Sequence, residues 1–264
     1  MLFAGIAVAA PTAPKNSNTK PLKPRTSFSA SPEAQAVLDQ AVVAYKNLKG
    51  LSMRYESKLL NSKEKQELRG QFDFARDNML VKSRLTENER LNITDGRYHY
   101  DKPHFFGGWD PHVDRSKTKR QEYSLYATLP GTPIQVPGLG SDLLGLLLIG
   151  GNPFRQKINP HYSVVQTIGK RLPDKIIDGV KLQGVQIRIR AFNDYSNVND
   201  GGAQAQWTAW FDPSDHLLRR VQYSANDSVY VDRLLDIKVN PDFPADTFKI
   251  PVALPQEKAP KDKP

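Results

Sequence analysis

Cysteine is absent from all 264 residues. Disulfides, thiolate metal ligands, a thiol nucleophile and a lipidated cysteine anchor are therefore excluded within this stretch. Catalytic signatures are missing too: there is no G-x-S-x-G elbow, no H-E-x-x-H zinc helix and no P-loop. Gly138 and Gly140 before a helix resemble a phosphate-binding turn, but the third glycine is lacking and the helix behind them is apolar. No apolar run approaches the ~20 residues needed to cross a bilayer, and no repeat at solenoid or propeller spacing is visible. Histidine is limited to five residues, of which His161 and His216 stand alone beside turns, where a solvated ring is the default.

What is present fits a globular protein with a sizeable core, since 39% of residues are hydrophobic and 25% charged. The net charge is +9. Lys15, Lys20, Lys23 and Arg25 put +4 of it in residues 11–31, and residues 256–264 add +1. The rest is expected to be spread over the body as a solvated surface, which argues against a nucleic-acid footprint. The basic linker suits peripheral contact with an anionic membrane, at about 1 kcal/mol per charge. Leu2 to Ala10 is a short apolar run with Ala7-Val8-Ala9 as a cleavage-like pattern, although no Lys or Arg precedes it. A signal-peptide remnant at 1–10 implies an exported, periplasmic or extracytoplasmic protein. Residues 11–31 read as a disordered linker, 32–254 as the folded domain and 255–264 as a disordered tail.

Order begins at Ser31-Pro32-Glu33, an N-cap followed by proline at the first helical position and an early acid. Leu38, Ala41, Val42, Tyr45 and Leu48 recur on one helical face, with Gly50 as the expected C′ residue. Past it the period changes from 3.6 to 2. Met53, Tyr55, Ser57 and Leu59 alternate with charged residues, as do Leu68, Gly70, Phe72 and Phe74. Met79–Leu85 and a hairpin around Asp95-Gly96 follow. The second half resumes with Val185, Ile187 and Ile189, then Gln204–Phe211, Leu217–Tyr223 and Val229–Val239. All of these strands are expected to be antiparallel.

Between the two sets of strands lies the most apolar segment. Ser141 and Asp142 suit a helix start and Gly150-Gly151 its stop. Leu143, Leu144, Leu146, Leu147, Leu148 and Ile149 point all round the axis, so the helix must be buried on every side. An antiparallel sheet with one apolar face and few helices would curl around it.

This order resembles the LolA-like fold of periplasmic lipoprotein carriers. The residues that carry the resemblance are Ala44–Ser52 feeding a first strand, Gly70–Asn78 running into an "R-P-N"-like turn at Arg76, Ile93–Tyr100 with its "DG" hairpin, and the closing Asn240–Pro251 segment. The match spans residues 32–251 and looks closest to the DUF2092-type branch. It implies an α+β fold: a curved antiparallel β half-barrel whose concave face is covered by the N-terminal helix and the short apolar helix. It also implies a non-enzymatic role without cofactor, in which the concavity takes an acyl chain, a lipid or a lipoprotein, or else an envelope sensor or scaffold that binds a protein. The expected lining is Leu143 to Ile149 together with Tyr55, Phe72, Phe74, Trp207, Phe211 and Tyr223. Residues 101–137 depart from the family pattern as a long insertion.

That insertion overlaps the one dense cluster of chemically active types, residues 98–114. Asp110, His112 and Asp114, with His104, would form a metal site of a hydrolase, but the spacing fits no ligand signature and proline interrupts it. A surface loop that tucks Phe105, Phe106 and Trp109 onto the rim, or offers them to a partner, is the better reading.

Overall fold

The computed structural model describes residues 25–60, 66–77, 80–85, 91–94, 98–102, 112–115, 123–124, 130–131, 143–153, 164–192, 203–225 and 228–251. Strand β1 (Arg25–Ala30) precedes helix α1 (Pro32–Asn47). A first meander follows: β2 (Gly50–Leu59), β3 (Gln66–Ala75), β4 (Leu80–Leu85), β5 (Leu91–Thr94), β6 (Tyr98–Lys102) and β7 (His112–Arg115). A small ribbon, β8 (Tyr123–Ser124) and β9 (Pro130–Gly131), leads to helix α2 (Leu143–Leu148). The second meander comprises β10 (Val164–Ile177), β11 (Val180–Phe192), β12 (Ala203–Phe211), β13 (Leu218–Ala225) and β14 (Ser228–Val239).

Among the described residues twelve strands form one open, curved sheet in the order β1-β10-β11-β12-β13-β14-β2-β3-β4-β5-β6-β7, with two helices against one face. The architecture is the expected α+β half-barrel. The last strand, β14, closes on the first strand after the helix, β2, in antiparallel register from Tyr230↔Leu59 to Val239↔Leu51.

Several expectations need correction. The strands are not all antiparallel, because β1 pairs parallel with β10 (Arg25↔Val164 to Ala30↔Gly169). β1 also lies inside the segment 11–31 expected to be a disordered linker. An edge strand is held by main-chain bonds on one side only, so its composition need carry no buried alternation; Phe28 is indeed exposed. Strand β10 gave no sequence signal either, since Gly169 and Pro173 interrupt it. The structure puts Pro173 in a register shift between Leu172 and Lys175, where no ladder donor is needed. Finally, 98–114 is not wholly a loop: β6 and β7 pair from Tyr98↔Arg115 to Asp101↔His112.

Helix α1 starts as its sequence dictates, with Ser31 Oγ accepting from Ala34 N–H at 3.2 Å and Pro32 at the first turn. Ala34, Val37, Leu38, Ala41, Val42 and Tyr45 form its buried stripe. Its end differs from expectation. The C-cap is Leu48 in an extended conformation, and Gly50 opens β2 instead of serving as a left-handed cap. Gly50 is needed for closeness: a Cβ there would stand 3.0 Å from Phe243 Cε2 and 3.2 Å from Phe74 O. Asn240, at positive φ, fixes the same corner, its Oδ1 accepting from Lys49 N–H at 2.7 Å and Gly50 N–H at 3.1 Å. A two-residue hairpin, Asp178-Gly179, with φ of 52° and 81°, links β10 to β11 in the type I′ manner.

Alternation divides the sheet cleanly. Its inner face supplies Met53, Tyr55, Phe72, Phe74, Ile187 and Trp207, among others, to one continuous core with both helices. A smaller core lies elsewhere, where the C-terminal segment packs Phe248 and Ile250 on Ile93, with Ala75, Leu80 and Phe243 alongside. Phe243 and Phe248 meet edge to face at 5.1 Å. Gly70 makes room on the inner face, since a Cβ there would overlap the end of the Tyr55 ring and come within 2.7 Å of Arg84 O. Gly70→Ala is therefore expected to cost about 1–3 kcal/mol, as overpacked cores do. Denaturant unfolding measures it, and a second change, Tyr55→Leu, should recover part of the loss.

Candidate functional site

The site is built around α2. Six residues of helix are far too few to stand alone in water, where ~12–15 are marginal. Burial must hold it, and Leu143, Leu144, Leu146, Leu147 and Leu148 are each no more than 1% exposed. The helix end is a Schellman motif: Gly150 N–H donates to Leu147 O at 2.8 Å and Gly151 N–H to Leu146 O at 2.9 Å. Gly150 takes φ +74°, and its bare Cα also lets the Lys46 stem of α1 lie against it. The expected start at Ser141 and Asp142 lies outside the described residues.

Around the leucines the inner face forms a wall. Tyr55, Phe72, Phe74, Trp207 and Phe211 are all buried in the same core as α2, and Tyr223, half-buried, packs against it. Thus the expected lining residues come together, with one exception. Ile149 is 39% exposed, because the Schellman turn begins there and carries the chain away from the sheet. Phe105, Phe106 and Trp109 lie outside the described residues, as do His104 and Asp110; His112 and Asp114 fall at alternate positions of β7. Among the described residues no cluster of metal-ligating side chains occurs. No helix there is long and apolar enough to cross a membrane.

Two polar features complete the site. Arg76, directly after β3, reaches under both helices. Its Nε donates to Leu48 O at 2.6 Å and an Nη donates to Tyr45 O at 2.5 Å and to Leu148 O at 3.0 Å. One guanidinium thus meets the carbonyl ends of α1 and α2, where the helix dipoles favour a cation. Its own N–H donates to Lys49 O at 2.8 Å, and its charge lies 5.4 Å from the Phe74 ring centroid. Burial lowers its pKa, yet a guanidinium stays charged at any physiological pH. The second feature is farther along the inner face. Buried Ser57 donates to buried Asp232 at 2.6 Å, beside a row of rings in which Trp207 and Tyr223 are 5.3 Å apart and Tyr223 and Tyr230 6.5 Å.

Neither feature was assigned a role from sequence. Arg76 stood in the turn motif, but a side chain that caps two distant helices leaves no local pattern. Asn152 similarly donates to Asp39 Oδ1 at 2.8 Å, tying the exit of α2 to α1. Tyr45, fully buried, accepts from Leu218 N–H at 3.3 Å, and its burial pushes the phenol pKa up.

No family model matches the chain, and no curated protein matches it in sequence. Solved structures do resemble it. The lipoprotein LppX of Mycobacterium tuberculosis is 15% identical, with 82% of this chain and 100% of that one covered at a TM-score of 0.45. LprF of Mycobacterium bovis is 16% identical over 85% and 100%, with a TM-score of 0.42. The LolA superfamily protein NE2245 of Nitrosomonas europaea is 11% identical over 82% and 97%, with a TM-score of 0.36.

Removing the guanidinium should loosen both helices at once. Arg76→Ala is expected to lower stability by about 2–3 kcal/mol, because hydrogen bonds from a charged group are worth ~1.5–3 kcal/mol and buried carbonyls lose their donor. Denaturant unfolding reads the total. Hydrogen exchange should show α2 opening before the sheet, and uniform exchange across both would count against the double-cap role.

Proposed function

We propose that the protein is an exported, non-enzymatic binder of an acyl chain, as a free lipid or on a lipidated partner, with α2 as a removable filling of the groove. The observation that supports it most is a six-residue helix made of five leucines and one glycine, fully buried between a curved apolar wall and α1. Such a helix offers the wall little but hydrocarbon, and an acyl chain offers the same.

The magnitudes permit exchange. Burying a leucine is worth about 2 kcal/mol, so exposing five costs on the order of 10 kcal/mol. A chain of about sixteen carbons recovers on the order of 12 kcal/mol at ~0.8 kcal/mol per methylene. The two states lie close enough for a ligand to shift the balance. Export agrees with the apolar run at 2–10, and the turn motif at Arg76 suits the LolA-like fold, whose DUF2092-type branch the sequence resembles.

The test is lipid uptake. After incubation with phospholipid and a fluorescent fatty acid, native mass spectrometry should find one lipid bound. Arg76→Gln, which weakens the hold on α2, should raise occupancy several-fold, and Leu147→Asp, which weakens the apolar hold on the same helix, should raise it as well wherever the variant folds. A folded wild-type protein and a folded Arg76→Gln variant that both remain lipid-free would overturn this reading and leave a scaffold with a permanently packed core.

A further inference from the structure

Several cations of the described residues share one part of the outer face. Across β10, β11 and β13 the residues that point away from the helices include Lys170, Arg188, Arg190 and Arg220. Cross-strand register sets them on one face, beside neutral partners: Lys170 pairs with Gln186, Arg188 with Gln206, Arg190 with Gln166, and Arg220 with Trp210. Among the described residues none of these four cations forms an ion pair. The nearby carboxylates are engaged elsewhere, with Asp174 on Arg171 and Lys181, and Glu56 and Asp178 on Arg233.

Between the cations stand uncharged polar groups. Gln166, Gln186, Gln206 and Gln222, with Thr208 and Ser224, occupy outward positions of the same strands, all of them partly exposed. Gln206 Oε1 accepts from Arg188 Nε at 3.3 Å and from an Nη at 3.1 Å. That holds the guanidinium in place and leaves its other edge for a ligand. Trp210 has Lys175 and Arg220 each 5.9 Å from its ring centroid. Ile168, 44% exposed, adds a small apolar spot in the Arg188 rung.

We infer that this outer face of β10–β13 is a binding surface for an acidic polysaccharide, a glycan chain bearing carboxylates. Guanidinium forks suit carboxylates. Primary amides both donate and accept, which matches a ligand rich in hydroxyls. Strands about 4.8 Å apart present a polar group on each rung, so a chain laid across them meets a partner at every strand. A nucleic acid fits less well, because single-strand sites stack bases on open aromatic faces and Trp210 is flanked by cations. An anionic membrane reads the number of charges alone and would make no use of the amides. This surface is on the side of the sheet away from α2, so it stands or falls independently of lipid uptake.

The experiment is calorimetric titration of the full chain with polygalacturonate oligosaccharides, inorganic polyphosphate and phosphatidylglycerol vesicles at low and high salt. Polygalacturonate should bind, and more tightly than either other probe at equal charge. Replacing the two exposed cations together, Lys170→Gln with Arg188→Gln, should weaken it about tenfold without moving the melting temperature. Gln222→Ala should weaken polygalacturonate a few-fold and leave any polyphosphate binding unchanged. Absence of polygalacturonate binding at low salt overturns the inference. So does equal or tighter binding of polyphosphate or vesicles, which would mark the face as a charge sink.

Discussion

The arrangement depends on one guanidinium. Two helices of very different length end side by side, and each terminates in carbonyls that its own ladder cannot satisfy. Arg76 meets Tyr45 O, Leu48 O and Leu148 O from a single side chain placed by the end of β3. The position of α2 is therefore set by the sheet and by α1 together, although α2 itself is too short to specify anything. Dipole attraction and hydrogen bonding act in the same direction here. A lysine would offer a point charge without the planar fork that spans three acceptors.

The second constraint is the pleat. Each strand of the two meanders presents alternate residues to opposite faces, and a one-residue slip would exchange them. On the inner side the alternation yields Phe72, Phe74, Ile187 and Trp207 against leucine. On the outer side the same strands yield paired Arg and Gln. The closure of β14 on β2 locks both faces at once, and Asn240 pins its end by capping Lys49 and Gly50. Gly70 shows how tight the inner side is, since even a methyl group there would meet Tyr55 and Arg84 O.

Much of this was legible in the sequence, for definable reasons. Helix α1 was, because its cap, proline and apolar stripe are local. Most long strands were too, because half-burial writes a period of two into the chain. The burial of α2 followed from leucine on all sides. What escaped was whatever depends on partners far along the chain. Strand β1 is held through the main chain of β10, so Thr26, Ser27 and Ser29 carry no signature of it. Gly50 looked like a helix cap but answers to Phe243, nearly two hundred residues away in sequence. Arg76 was visible as a turn residue and invisible as a double cap. That Lys170, Arg188, Arg190 and Arg220 share one face appears only once register aligns their strands.

The hold on α2 has a division that bears on the proposed exchange. Arg76 gives two of its bonds to α1 and one to α2. If α2 swings out, the guanidinium keeps Tyr45 O and Leu48 O, so no buried charge is stranded without partners, the loss that makes broken polar sites expensive. The Schellman bonds travel with the helix, because both of their ends are within residues 146–151. Asn152 and Asp39 separate at a partly exposed spot where water can replace them. What then changes most is hydrocarbon contact, a non-directional term that another hydrocarbon can supply. A longer helix with its own amphipathic face would be harder to move, since it would bring more ordered residues and more side-chain pairs to break. Shortness, leucine content and a shared cap together describe a plug that the sheet grips firmly by apolar contact and lightly by polar contact.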